Sequence, residues 1–445
     1  MGALFSEGKA FRPLMVIATL AFNVCAFAQK SNDEALLDLV QRQTFSYFWD
    51  FAHPVSGMAR ERSNLSFGYG QEGVTTGGTG FGIMATIVAT ERKWIGRDTA
   101  ARHLLRMVDF LRKAEHYHGI FPHWMDGATG KTIPFSRKDD GGDIVETAYL
   151  FMGLLCARQY FDAENPVERE LRTKIGWTWN EAEWNWHVQP GREVLYWHWS
   201  PNNGWAMDFA IRGWNECLIA YVLSASSPRY AIQPSVYHQG WTRSDFFKNG
   251  KSFFGIELPL GFDYGGPLFF SQYSFLGLDP RGLSDRYADY WKQNLHHTLI
   301  QIAYGRANPK RYKGYGSDAW GLTASDSHQG YAAHSPLEDL GVISPTAALS
   351  AFPYTPKESM RALRYFMDSV PAKIGGRSLW GPHGFYDAYS EERKWMADSY
   401  LAIDQGPIVV MIENHRSGLL WRLFMGDKDV QRGLRTLDFR SPWLK

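Results

Sequence analysis

Apolar residues recur at helical spacing in segment after segment of this chain, and the segments are joined by long loops rich in glycine and aromatics. That pattern limits the fold more than any other feature. The spacing predicts helices over Asp33 to Phe51, Gly80 to Trp94, Thr99 to Ala114, Asp143 to Phe161, Pro166 to Trp179, Ala206 to Ser224, Ser284 to Tyr304, Pro345 to Phe352, Lys357 to Ser369, and Pro407 to Met425. Asp98, Asn165, Ser344 and Thr355 stand where N-caps are expected, the last three just before a proline suited to a first turn. Two loop segments read differently: Phe121 to Pro134 looks like a hairpin turning at Asp126-Gly127, and Val194 to Trp199 like a strand. The class expected is all-α, an (α/α)6 barrel or toroid of paired inner and outer helices, with long loops and short hairpins lining a cleft. Periodicity by itself does not show ring closure, and no clean repeat marks it.

Residues 1–28 carry Lys9 and Arg12 ahead of an apolar stretch that ends in Ala26-Phe27-Ala28, the pattern of a secretory signal cleaved before Gln29. The stretch is short for a membrane span and is interrupted by Asn23, so no stable membrane insertion is expected after cleavage. Cys25 is preceded by Val24, too large for the usual lipidation site. A periplasmic or secreted protein follows, with residues 29–445 as one catalytic domain, because no Pro/Ser-rich linker or charge run divides them. Loss of Lys9, Arg12 and Glu7 takes the formal charge from +1 to zero, which argues against a nucleic-acid partner. The two remaining cysteines, Cys156 and Cys217, lie in apolar patterns and read as buried thiols. No partner protein is implied, and a monomer is expected.

Asp143 and Glu146 are three apart on one helix face, with Asp139 and Asp140 just upstream, so these carboxylates are placed to crowd one rim. Crowding raises one of their pKa values, as a general acid requires. The same Asp-x-x-Glu is also a capping box, with Asp143 as the N-cap and Glu146 folding back onto it. Gly141 and Gly142 suggest a backbone that approaches a ligand. Glu216 falls in an otherwise apolar segment, where a carboxylate is either paired, here with Arg212, or functional. Asp404 precedes a run beginning at Pro407, where a helix N-terminus stabilises an anion and suits a base. Glu413, inside that run, reads as structural.

Aromatics make up 15% of the chain, more than a core needs, and the surplus points to a cleft lining. Trp124, Trp184, Trp186, Trp197, Trp199, Trp205 and Trp320 stand beside His123, His187, His198 and Asn203, a mixture that stacks on and hydrogen-bonds sugars; about half of these rings are expected only to cover the core. Carboxylates beside such platforms are the ingredients of glycoside hydrolysis. No metal or cofactor is expected, since His296-His297 are adjacent and face apart and no other histidine pair has helical ligand spacing.

Thr75-Thr-Gly-Gly-Thr-Gly-Phe-Gly, Asp139-Asp-Gly-Gly-Asp-Ile-Val-Glu-Thr-Ala, Gly213-Trp-Asn-Glu, His328-Gln-Gly-Tyr and Ala402-Ile-Asp-Gln-Gly-Pro together resemble motifs of the bacterial endo-β-1,2-glucanases of glycoside hydrolase family 144, the glucoamylase-like proteins. The resemblance covers essentially the whole mature chain. It implies an (α/α)6 barrel that hydrolyses linear β-1,2-glucan to sophorose and sophorooligosaccharides without a metal, with inversion. It also implies Glu216 as acid and Asp404 as base, with Asp139, Asp143 and Glu146 as a supporting acidic cluster, and Asp140 leaves the Asp139 match uncertain by one residue. Some relatives are exo-acting. Inversion requires the two carboxyls about 6.5–9.5 Å apart. Other readings are an exo-acting sophorose-releasing hydrolase, a polysaccharide lyase, a prenyl-diphosphate enzyme using Asp139-Asp140-x-x-Asp143, and a glycan-binding protein that would not need buried carboxylates.

Overall fold

The computed structural model describes residues 32–444; the leader read at 1–28 lies outside them. The helices are α1 (32–49), α2 (Thr76–Glu91), α3 (Arg97–Leu111), α4 (Ile144–Tyr160), α5 (Pro166–Glu181), α6 (Leu218–Ser226), α7 (Tyr290–Ala307), α8 (Pro345–Leu349), α9 (Pro356–Asp368), α10 (Val370–Lys373), α11 (Ala402–Arg416), α12 (Leu419–Gly426) and α13 (Lys428–Thr436).

Two kinds of helix follow from two kinds of sequence. α2, α4, α6 and α11 are apolar or small around nearly their whole circumference and are buried on all sides. Such helices can only be an inner layer. α3, α5, α9 and α13 keep one buried stripe and a charged face, and they pack outside: α3 on α5, α9 on α8, α13 on α6. The result is the helical α/α barrel expected. Within the inner layer α2 lies between α4 and α11. Its glycines permit the contact: a Cβ on Gly80 would fall 2.1 Å from the carbonyl oxygen of Tyr149, and one on Gly153 2.2 Å from that of Gly80. No side chain fits between backbones so close. Among the described residues no helix is long and apolar enough to cross a membrane.

Several predicted boundaries move, each for a local reason. The helix expected over Ala206 to Ser224 begins only at Leu218, because the preceding segment turns through Asp208 (φ 46°) and Gly213 (φ 77°). Cys217 is therefore the cap residue of α6 and not part of its interior; Cys156 and Cys217 are both free and buried. The run expected over Pro407 to Met425 is two helices, broken where Gly418 adopts φ 68°, and α11 starts at Ala402 with Pro407 inside it. α7 begins at Tyr290, capped by Asp289, and not at Ser284. Asn165 caps α5 as expected, but Gly96 and not Asp98 holds the cap position of α3, and Ser344 and Thr355 make no side-chain cap bond.

The strands are short. β1 (Gly73–Thr75), β2 (Trp124–Asp126) and β3 (Thr132–Ile133) form one antiparallel sheet with Trp124 opposite Ile133, so the hairpin at Asp126-Gly127 forms where predicted. The strand expected from Val194 shrinks to β5 (His198–Trp199), paired with β4 (Gly142–Asp143). These strands run directly into inner helices, β1 into α2 and β4 into α4.

Candidate active site

The N-terminal ends of α2, α4, α6 and α11 converge on one cavity of about 310 Å³. Glu146 and Glu216 share its lining with Thr75, Tyr149 and Tyr273; Phe67, His123, Trp124, Phe135 and Trp197 form an aromatic wall; Glu61, Arg62, Tyr331, Leu401 and Ile403 are among the others that contribute. Flat rings around converging carboxyl groups suit a polyhydroxylated ring substrate.

Asp143 is the N-cap of α4, its Oδ1 accepting from the Val145 and Glu146 N–H groups at 2.9 Å. The capping box stops there. Glu146 does not fold back but reaches across to α2, accepting from Gly77 N–H at 2.8 Å and Thr75 Oγ1 at 3.4 Å. Gly77 makes this possible, since a Cβ there would lie 2.5 Å from Glu146 Oε2. The other oxygen of Asp143 bonds His123 Nδ1 at 2.9 Å, and His123 Nε2 lies 4.0 Å from Glu146 Oε1. Asp139 is buried beside them, its Oδ2 3.2 Å from His198 Nδ1.

The crowding separates the pKa values. Burial disfavours the charge on His123, but Glu146, Asp143 and Asp139 outweigh it and lift the imidazole to about 9. Burial also opposes the Asp143 anion, and the His123 and His198 rings still hold its pKa low. Glu146 is pushed up, by burial and then by Asp143. Glu216 is half-buried with no ion-pair partner among the described residues; burial, with Glu146 and Asp143 nearby, pushes it up to about 7. A glutamic acid protonated near neutrality on a cavity wall is competent as a general acid.

Asp404 departs from expectation. It sits in the first turn of α11, yet it is not an exposed anion at a helix end: it is 2% exposed, behind Leu401, Ile403 and Tyr273, and the Tyr273 hydroxyl donates to its Oδ1 at 3.3 Å. Burial and the neighbouring Asp387 carboxyl raise its pKa well above the usual range, overriding the helix terminus.

The structure divides the remaining residues. His123, Trp124 and Trp197 line the cavity. Asp140 instead ties a surface turn, accepting from Ser200, from Asn202 at 2.8 Å and from Asn203 at 3.4 Å, so both Asp140 and Asn203 are occupied away from the cavity. Trp199 packs edge-on against His118 and Trp186, and Trp205 against His187 and Tyr196. Trp320 is 1% exposed in the core, and Trp184 is fully buried. Arg212 is exposed and makes no ion pair with Glu216, because the turn at Gly213 removes the helical i, i+4 geometry that pairing needed. Gly141 admits no ligand either: a Cβ there would lie 2.2 Å from the Trp199 carbonyl, and Gly142 pairs in β4, so both glycines serve strand contact. Glu413 is structural, bonded to Arg92 at 2.8 and 3.0 Å.

Sequence reasoning missed the groups around Asp404. Arg62, 3% exposed, clamps Glu61 at 2.8 Å and Asp326 at 3.0 Å and lies over the Phe67 ring. Asp387 accepts from the Asp326 N–H at 2.6 Å. Only the adjacent charges Glu61-Arg62 beside the aromatic loop Phe67-Gly-Tyr gave any signal. Among the described residues, His123, Asp139 and Asp143 offer ligand atoms within 4.8 Å of one another. Those of Asp143 are already engaged, one by the α4 cap and one by His123, as a hydrogen-bonded charge network.

Residues 208–428 match the family described as "Putative glucoamylase". A protein of that same description from Bacteroides uniformis is 57% identical, with a TM-score of 0.90 over 93% of this chain and 99% of its own. An endo-β-1,2-glucanase from Chitinophaga pinensis, solved with sophorotriose and glucose, is 52% identical, with a TM-score of 0.88 over 93% and 99%. An exo β-1,2-glucooligosaccharide sophorohydrolase (non-reducing end) of Parabacteroides distasonis is 42% identical over 439 residues, covering 93% of this chain. This chain spans 59% of that relative's length. With two solved relatives above half identity and matched nearly end to end, the chain belongs to the glucoamylase-like β-1,2-glucanases of glycoside hydrolase family 144.

Proposed function

We propose that this protein hydrolyses linear β-1,2-glucan, in endo fashion and with inversion, releasing sophorose and sophorooligosaccharides. The observation that carries the reading is Glu216: a carboxyl pushed up to about 7 on the wall of an aromatic-lined cavity that it shares with Glu146 and His123, the latter paired with Asp143. Glu216 protonates the leaving glycosidic oxygen as the C1–O bond breaks. As the attacking water bonds C1, its proton passes to Asp404 by way of Tyr273, whose hydroxyl lines the cavity and hands its own proton to Asp404 Oδ1, and the Asp143 and Glu146 carboxyls keep Glu216 protonated. Trp124 and Trp197 stack on the sugar rings. The end-to-end match to the Chitinophaga pinensis endo-enzyme supports endo action, and the Parabacteroides distasonis sophorohydrolase supports the second reading, exo release of sophorose. The basic and apolar leader supports a periplasmic or secreted location.

The test is to incubate the purified protein with linear β-1,2-glucan, laminarin, cellulose and starch, reading reducing ends and product lengths with time. Early mixed-length products from β-1,2-glucan alone are expected. Sophorose as the sole early product selects the exo reading, and no cleavage of any glucan refutes both. Anomer analysis by NMR separates inversion from retention.

A further inference from the structure

Behind the cavity wall lie two buried carboxyl groups with unmet oxygens. Asp387 (5% exposed) and Asp404 (2% exposed) act on each other as neighbours, and Asp387 Oδ1 and Asp404 Oδ2 are both buried with no hydrogen-bond partner among the described residues, so a proton between them is the donor that each lacks. Their outer oxygens are fixed: Asp387 Oδ2 accepts from the Asp326 N–H at 2.6 Å, and Asp404 Oδ1 from Tyr273. Two neighbouring buried carboxylates do not both ionise, so one proton lies between them.

We propose that Asp387 is a positioning residue that shares one proton with Asp404 across a carboxyl–carboxyl hydrogen bond and so sets the pH at which Asp404 becomes a base. The inference rests on the reading of Asp404 as the base. In the resting enzyme the pair carries one proton and one negative charge. Residence of that proton on Asp387 leaves Asp404 free to take the proton of the attacking water, and the pair, then holding two protons, returns one to solvent after turnover.

The surroundings fit this role. Asp326 stands behind Asp387 with its charge already met by Arg62, which also holds Glu61, and Ser399 Oγ bonds Asp326 Oδ2. The remaining groups that face the pair are the Tyr273 hydroxyl, held un-ionised by burial, and that of Tyr331, a residue 47% exposed whose pKa the neighbouring Asp404, Asp387 and Glu61 carboxyls help to raise. Among these charges Asp387 acts most strongly on Asp404, ahead of Asp326, and it alone of the two has an oxygen left without a partner among the described residues. Burial and these like charges raise both carboxyls.

Asp387→Asn tests the proposal. The amide keeps an oxygen for the Asp326 N–H and presents an N–H to Asp404, so the fold is retained while the shared proton is replaced by a weaker, fixed donor. The acid limb of the kcat–pH profile is expected to move to higher pH by about one unit, because an amide N–H stabilises the Asp404 anion less than the shared carboxyl proton does. An unmoved or downward-shifted limb overturns the proposal, since a merely structural residue would lower activity without moving it and an ionised neighbour would hold the limb high in the unsubstituted protein. Asp404→Asn separates the two claims: if it keeps full turnover, the base reading itself fails, whereas an inactive Asp404→Asn beside an unmoved Asp387→Asn profile refutes only the shared proton. Infrared titration of the unsubstituted protein gives an independent readout. A protonated-carboxyl band present at neutral pH and lost in Asp404→Asn supports the pair, and no difference between the two proteins overturns it.

Discussion

Replacing Glu216 by Gln should stabilise the protein while abolishing its chemistry, and only at a pH where the native carboxyl is forced to ionise. In the unfolded chain a glutamate titrates near 4.5; in the cavity it is pushed up to about 7 by burial and by Glu146 and Asp143. A group with a raised folded pKa costs nothing below its unfolded value, costs progressively more as pH rises between the two, and costs a constant amount above the folded value. The full shift corresponds to about 3 kcal/mol, and solvent in the cavity beside this half-buried side chain trims that to about 2 kcal/mol. For a chain of this length that is about 2–3 °C in Tm. Scanning calorimetry of both proteins at about pH 4 and about pH 8 measures it: equal Tm at the lower pH, and a higher Tm for Glu216→Gln at the higher one. Turnover of β-1,2-glucan should fall by about a hundredfold or more in the same variant. A Tm gain that is equal at both pH values, or absent at about pH 8, refutes the strained-carboxylate argument.

The pH profile of activity should fall above about pH 7 as Glu216 loses its proton, and Glu146→Gln should move that basic limb to lower pH, because removing a like charge lowers the Glu216 pKa; a limb that stays in place refutes the coupling. Trp197→Ala should raise KM about tenfold through loss of a stacking ring, whereas Trp320→Phe should leave KM unchanged and lower stability by about 1–2 kcal/mol, since Trp197 lines the cavity and Trp320 is core. Gly80→Ala should cost about 1–3 kcal/mol in urea unfolding, because its Cβ would sit 2.1 Å from the Tyr149 carbonyl oxygen. Asp143→Ala should remove the α4 cap, for about 1 kcal/mol, and lower the His123 pKa from about 9 as read by NMR titration.

The sequence by itself determined whatever depends on neighbours a few residues away. Helical spacing marked the segments that become α2 and α4, Asn165 and Asp143 announced the caps of α5 and α4, and Asp126-Gly127 announced its hairpin. Glycine-rich motifs were visible too, but what they approach was not: Gly77 makes room for Glu146, and Gly141 for a strand and not a ligand. Tertiary structure alone decided which carboxylates meet. Glu216 lost Arg212 because Gly213 turns the chain, and Asp404, expected as an anion at a helix end, became one of two neighbouring carboxyls, with Asp387, whose pKa values are both raised. It also sorted the tryptophans, sending Trp320 and Trp184 to the core and Trp124 and Trp197 to the cavity. The reason is physical. Helix periodicity, capping and turn chemistry act through bonds close in the chain, whereas burial and like-charge proximity, which set a pKa, belong to groups that only folding brings together.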